Sequence, residues 1–197
     1  DFGTDAYGFQ AFVDRDGPVG IAWLANWTDI AKTTDWPTAM TLPRRLLLKD
    51  GALTTPPIDA VTTLRQALVD DHRLAAGETV ALDGGAAEIV IELEEAGVPF
   101  ELSLSHPTLK LAITAGANGL AIVHEDGKGG TPSPHYLAAG AKVRSVRVFL
   151  DRGPIEVFAD EGRYTGTKRI ADPAPTTAIR LEAPQGRTAA RVWRLGL

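Results

Sequence analysis

The chain has 197 residues, 44% of them hydrophobic and 23% charged, with a formal net charge of −5; this suits one large globular domain, or a small domain plus part of another. The two signs are interspersed and no basic tract follows a phosphate backbone, so nucleic acid is not expected as a partner; nor is a membrane, since no apolar run approaches the roughly 20 residues that a helix needs to cross a bilayer. The absence of Cys excludes disulfides and thiolate metal sites.

The opening stretch DFGTDAYGFQAF packs acids, aromatics and a Gln into residues 1–12. GIAWLANW (20–27) is apolar enough for a buried strand, and AMTLPRRLLL (39–48) is strand-like around Pro43. Three of the four Trp, namely Trp23, Trp27 and Trp36, fall in this first region. Next comes PPIDAVTTLRQALVDD (56–71), where Ile58, Val61, Leu64, Arg65 and Leu68 recur near helical spacing after a Pro-Pro start. That pattern predicts a short helix or turn, with residues 56–74 acting as a connector.

From about residue 75 onward the pattern is of short strands. In EIVIEL (88–93), Ile89, Ile91 and Leu93 share one face, and Glu88, Val90 and Glu92 the other. FELSLS (100–105) and LKLAIT (109–114) alternate likewise, and GLAIVHE, VRSVRVFLD, IEVFAD, TAIRLEA and ARVWRLG follow. The segments between them, such as EEAGVP, AGANG, DRGP and DEGR, are turn chemistry. Many half-buried strands at short spacing predict an antiparallel β-sandwich over 75–197. The strands of residues 1–55 are too few to bury a core of their own; they fit a propeller blade, which is stable only against neighbouring blades.

In order, DFGTDAYGFQAF, GIAWLANW, WPTAMTLPRRLLLKDGAL and TTLR resemble the end of the catalytic domain of glycosyl hydrolase family 32, which includes invertases, levanases, inulinases and fructosyltransferases. VRVFLDRGPIEVFADEGRYTGTKRI (146–170) is similar to that family's C-terminal sandwich signature. The resemblance implies an all-β fold: the last strands of a five-bladed β-propeller (1–55), the connector, and a C-terminal antiparallel β-sandwich. The first part of the propeller is then expected from an N-terminal portion of the same protein.

Retaining glycoside hydrolysis needs a nucleophilic carboxylate and a general acid/base. The family's motifs for these groups, W-M-N-D-P-N-G, R-D-P and E-C, are absent here, so no catalytic carboxylate is assigned and the chain alone is expected to be inactive. The resemblance does imply substrate-binding positions. Tyr7 matches the Tyr of D-F-Y-A, Trp27 matches the second Trp of G-W-M-x-N-W, and Asp5 matches the acid of D-F-Y-A. An aromatic face packs on the apolar side of a sugar ring, a phenol can donate to a hydroxyl or a carboxylate, and Asp5 can accept from sugar hydroxyls or hold the Tyr. Ala6, Gly8 and Arg45 depart from the family pattern and leave room for a polymer-acting or fructosyl-transferring member, in which case an extracellular location is favoured.

Other residues read structurally. Gln10 and Asn26 are assigned side-chain-to-backbone hydrogen bonds, and Arg44 an ion pair holding blade to sandwich. Asp151 and Glu156 flank DRGP and are read as turn chemistry. His72, His106, His124 and His135 show no ligand spacing, so neither metal nor cofactor is expected. The expected function is the C-terminal portion of a fructan- or sucrose-acting enzyme, with a structural role for the sandwich. The alternative is a non-catalytic carbohydrate-binding or structural β-sandwich, whose mark would be exposed aromatics among Phe100, Tyr136, Phe149, Phe158, Tyr164 and Trp193.

Overall fold

The structure, a computed structural model, describes residues 1–25, 38–70, 77–83, 85–125, 133–170, 172, 174–184 and 186–196, with the backbone alone for 67–70. The first strands are β1 (Ala6–Asp14), β2 (Gly17–Leu24), β3 (Ala39–Met40) and β4 (Arg44–Arg45), in a sheet of order β1-β2-β3 with β4 also on β2. DRDG closes the β1–β2 hairpin, and Gly17 takes φ 115°, a conformation that few other residues tolerate. A second hairpin pairs β5 (Leu47–Lys49) with β6 (Ala52–Thr54).

A 3₁₀ helix (Asp59–Leu64) follows, then β7 (Arg65–Asp70). The helical spacing is therefore genuine for 58–64, where Val61 buries against Phe149 and Phe158 with Ile58 and Leu64 packed beside it. It does not extend to Leu68. Arg65 turns extended at the helix end (φ −68°, ψ 108°), and 65–70 pair with the last strand of the chain. A sheet ladder outweighs a weak local helical preference, so part of the expected connector belongs to the sandwich.

The remaining strands are β8 (Thr79–Ala81), β9 (Ala87–Leu93), β10 (Phe100–Ser105), β11 (Lys110–Gly116), β12 (Gly119–His124), β13 (Ser133–Ala139), β14 (Ser145–Leu150), β15 (Pro154–Ala159), β16 (Tyr164–Arg169), β17 (Ala178–Glu182) and β18 (Thr188–Leu195). They form two six-stranded antiparallel sheets, ordered β13-β12-β11-β10-β17-β8 and β16-β15-β14-β9-β18-β7. Alternation decides the packing. Ile89, Ile91 and Leu93 of β9 meet Leu102 and Leu104 of β10 and Ile179 and Leu181 of β17 in one core. Each such side chain contributes about 1.5–3 kcal/mol by leaving water.

The outer face of the second sheet is covered as well. Phe149 and Phe158, edge to face at 5.8 Å between centroids, lie under Val61, Ile58, Leu64 and Leu42. The connector and the β3–β4 segment are thus packed onto the sandwich, and β2 lies against β16. This seam fixes where the first sheet sits.

Candidate functional site

The first sheet has two unlike faces. Gly20, Ala22 and Leu24 of β2 are buried, whereas Trp23 between them is half-buried. Tyr7 stands directly across from Trp23, and Trp23 across from Met40, so the three form one row over the open face. Tyr7 is 59% exposed, and its ring meets Trp23 edge-on at 6.3 Å between centroids. The β1–β2 register shifts between Tyr7 and Gln10, and Gly8 takes φ 61° within that bulge. A bulge turns a strand and re-aims a side chain. Here it lets Phe9 cover Gly20 on the buried side while Tyr7 faces outward. The sequence reading assigns Trp23 no role, although its alternation with Ala22 and Leu24 is a signal for one. Trp27, Asn26, Trp36 and His72 lie outside the described residues. Gln10 is exposed on β1.

Asp5 is placed differently from the expectation that it meets sugar hydroxyls. Its side chain is 1% exposed and turned into the sandwich. The Arg169 backbone N–H donates to Asp5 Oδ2 at 2.7 Å, and Lys168 Nζ lies 3.0 Å from the same oxygen. A buried carboxylate requires such partners, and β16 supplies them. His124 is close by. Burial and the Lys168 charge push its imidazole below the usual His range, against the Glu125 carbonyl and the Asp5 carboxylate.

Arg44 is the centre of the seam. It is 0% exposed and donates to Asp1 Oδ2 at 2.6 Å, Glu156 Oε2 at 2.7 Å and Thr167 Oγ1 at 2.6 Å. The Phe158 and Phe9 rings flank its guanidinium at 5.2 and 5.7 Å. Glu156 also accepts from the Leu42 N–H at 2.7 Å. Burial lowers the Arg44 pKa against the pull of Glu156, and burial raises the Glu156 pKa against the pull of Arg44 and the Leu42 N–H. Arg44 is the blade-to-sandwich ion pair read from the sequence. Glu156 is a correction: it is no turn residue but the sandwich's half of that pair, because Pro154 starts β15 and alternation aims Glu156 outward at β4. Asp151 does serve a turn, accepting from the Arg152 N–H at 2.7 Å.

A second buried carboxylate sits on the same outer face. Glu88 is 0% exposed, held by Arg65 through two hydrogen bonds of 2.7 and 2.8 Å and by Arg147 at 2.5 Å. Burial pushes its pKa up, but the two guanidinium groups together hold it below the usual carboxylate range. Arg65 in turn stacks on Trp193 at 3.9 Å. The aromatics needed for a binding platform are therefore spent elsewhere. Phe100, Phe149 and Phe158 are buried, Trp193 lies under Arg65 and Arg191, and Tyr136, 39% exposed, is the exposed one of the six. Among the described residues no group of three His, Asp or Glu is placed to hold a metal ion.

Strands of a preceding sheet locked by buried ion pairs to a two-sheet sandwich define an all-β protein of the propeller-plus-sandwich class. Comparison with known proteins makes this specific. The N-terminal domain profile of glycosyl hydrolases family 32 matches residues 1–57, and the C-terminal profile of the same family matches residues 60–194. The chain belongs to glycosyl hydrolase family 32.

Among curated relatives, the raffinose invertase of Escherichia coli is 27% identical over 202 residues, covering 94% of this chain and 41% of its own length. A sucrose-6-phosphate hydrolase of Escherichia coli is 27% identical over 217 residues, covering 100% of this chain and 43% of its own length. An extracellular exo-inulinase of Meyerozyma guilliermondii is 31% identical over 83 residues, 40% of this chain and 16% of its own length. Two solved structures share the fold. A family 32 glycoside hydrolase of Bifidobacterium adolescentis has a TM-score of 0.80 at 21% identity, over 100% of this chain and 32% of its own. A β-fructofuranosidase of Bombyx mori has a TM-score of 0.76 at 22% identity, over 99% of this chain and 41% of its own. The chain spans about two fifths of the length of the invertase and hydrolase relatives.

Proposed function

We propose that this chain is the C-terminal portion of a retaining β-fructofuranosidase that hydrolyses sucrose or a related fructoside. The ordered match of both family profiles carries this reading, and the names of the relatives, invertase and sucrose-6-phosphate hydrolase, support sucrose-type substrates. Tyr7 forms part of the wall of the fructosyl pocket, and Trp27 is assigned to substrate binding by its match to the family motif alone. The Tyr7 phenol, exposed beside Trp23, stands on the open face of its sheet, where it can meet a sugar hydroxyl or a carboxylate supplied by the rest of the propeller. The nucleophile and the general acid/base come from that other portion. The nucleophilic carboxylate displaces the glycosidic oxygen from the fructosyl carbon, the acid protonates the departing sugar, and water then releases fructose. By itself this chain positions substrate and performs no hydrolysis.

The test is an assay of the full-length protein on sucrose, inulin and levan with product analysis, beside its Tyr7→Phe and Tyr7→Ala variants. Free fructose and a raised KM in Tyr7→Ala are expected. Difructose or longer products at the expense of free fructose would replace water by a sugar acceptor and make the protein a fructosyltransferase. Turnover by residues 1–197 alone would overturn the assignment of the carboxylates to another part.

A further inference from the structure

β16 is an edge strand of its sheet, so alternate N–H and C=O groups along it point away from β15. Residues 1–5 cover that edge. The Phe2 N–H donates to the Thr165 carbonyl at 2.7 Å, the Thr167 N–H to Asp1 Oδ1 at 3.1 Å and the Arg169 N–H to Asp5 Oδ2 at 2.7 Å. These three β16 residues are spaced by two, as groups facing one edge must be. Two aspartate side chains, four residues apart, thus take the place of a partner strand's carbonyls. The Lys168 ammonium closes on the Asp5 carboxylate at 3.0 Å, and His135 Nε2 of the other sheet pairs with the Phe2 carbonyl at 2.7 Å. Both sheets of the sandwich grip the first five residues.

The grip ends immediately before the open face of the first sheet. The Ala25 N–H donates to the Asp5 carbonyl at 2.9 Å, Ala6 then pairs with Leu24, and the next residue is Tyr7, at the start of the bulge. The side chains of β1 are exposed along most of its length, and its backbone is held by the ladder to β2 and, at its entry, by Asp5. We infer that the sandwich positions Tyr7: Lys168 and Asp5 form a clamp that fixes the entry of β1 and thereby where the Tyr7 ring stands. The sandwich is then part of the substrate-binding apparatus and not a stabilising appendage alone. The role of Tyr7 toward substrate rests on the proposed function above; the clamp itself does not.

A buried ion pair is a weak source of net stability, and in some systems it serves to fix geometry instead. The two roles separate by experiment. In the full-length protein, Lys168→Met removes the charge and keeps the stem, Lys168→Arg restores a cation, and Asp5→Asn provides an independent break. Amide hydrogen exchange at residues 6–10 is expected to rise about 10-fold in Lys168→Met and Asp5→Asn, with the exchange of β9 and β14 unchanged. The KM for sucrose is expected to rise at least 5-fold with kcat altered less than 2-fold, and Lys168→Arg should return both readouts to within 2-fold of the parent. Unchanged exchange at 6–10 in a folded Lys168→Met protein would overturn the clamp, as would a Lys168→Arg variant that behaves like Lys168→Met. Raised exchange with KM unchanged, in a protein where Tyr7→Ala also leaves KM unchanged, supports the clamp and overturns the substrate role of Tyr7.

Discussion

Replacing Arg44 by Met keeps the length of the side chain and removes its charge. Arg44 is fully buried and holds Asp1, Glu156 and Thr167, so the change leaves two carboxylates enclosed without their shared cation. Breaking a buried pair from one side costs about 3–5 kcal/mol, a large share of the roughly 5–15 kcal/mol that holds a domain. The expected fall in Tm is on the order of 10 °C. Urea denaturation followed by Trp fluorescence measures the loss, since Trp23 lies in the first sheet and Trp193 in the sandwich. The Arg44→Met/Glu156→Leu double variant should recover about half of it, because it removes one of the two stranded carboxylates and leaves Asp1 without Arg44, held by Thr167. The deficit of Arg44→Met also has a sign in pH. Burial already pushes the Glu156 carboxyl up against the pull of Arg44, and without Arg44 its folded pKa rises further. A raised carboxylate destabilises above its folded pKa, and that cost disappears as pH falls through it, so the deficit should be greater near about pH 8 than near about pH 5. An Arg44→Met protein within about 0.5 kcal/mol of the parent at neutral pH would refute the reasoning that this ion pair closes the seam.

Glu88 is held below the usual carboxylate range by Arg65 and Arg147 although burial opposes them. Its contribution is therefore complete above that range and lost as pH falls through the folded pKa; Glu88→Gln should cost about 3 kcal/mol at neutral pH and flatten the acid limb of the stability curve. His124, depressed by burial and by Lys168, disfavours protonation in the folded state, so stability should drop as pH falls below the ordinary His range of about 6.5, and His124→Gln should remove that slope in thermal melts between about pH 7.5 and 5.5. Gly119→Ala places a methyl group against the Ala138 carbonyl at φ 103° at the start of β12, where Gly119 pairs with Ala139 of β13; a loss of about 1–3 kcal/mol by denaturant titration is expected, and none would mean that this strand end relaxes.

The seam concentrates its energetics in a few residues. Within each sheet, a side chain touches what the ladder puts beside it. Across the seam, side chains distant in sequence meet: Arg44 and Glu156 are separated by 112 positions and Asp5 and Arg169 by 164. Apolar packing of Phe149 and Phe158 under the connector excludes water there, and that exclusion is what makes each charge costly to leave alone.

Alternation by itself determined much of this protein. It put Ile89, Ile91 and Leu93 in the core, made the long second part a sandwich, and gave the first strands the look of a sheet that is incomplete alone. Ordered motifs gave the family, and Arg44 could be read as the link between the parts because an Arg beside a Pro in an apolar strand needs buried acids. Only the tertiary structure decided which acids. Glu156 looked like a turn residue, Asp5 like a sugar contact, and Glu88 had only a face opposite Ile89 and Ile91, because period-two alternation says which face a side chain takes and not what lies over that face. The helical spacing of 58–68 misled for the same reason: residues 65–70 are a strand because β18 is there to pair with them, and a pairing made across more than a hundred residues leaves no mark in the local sequence.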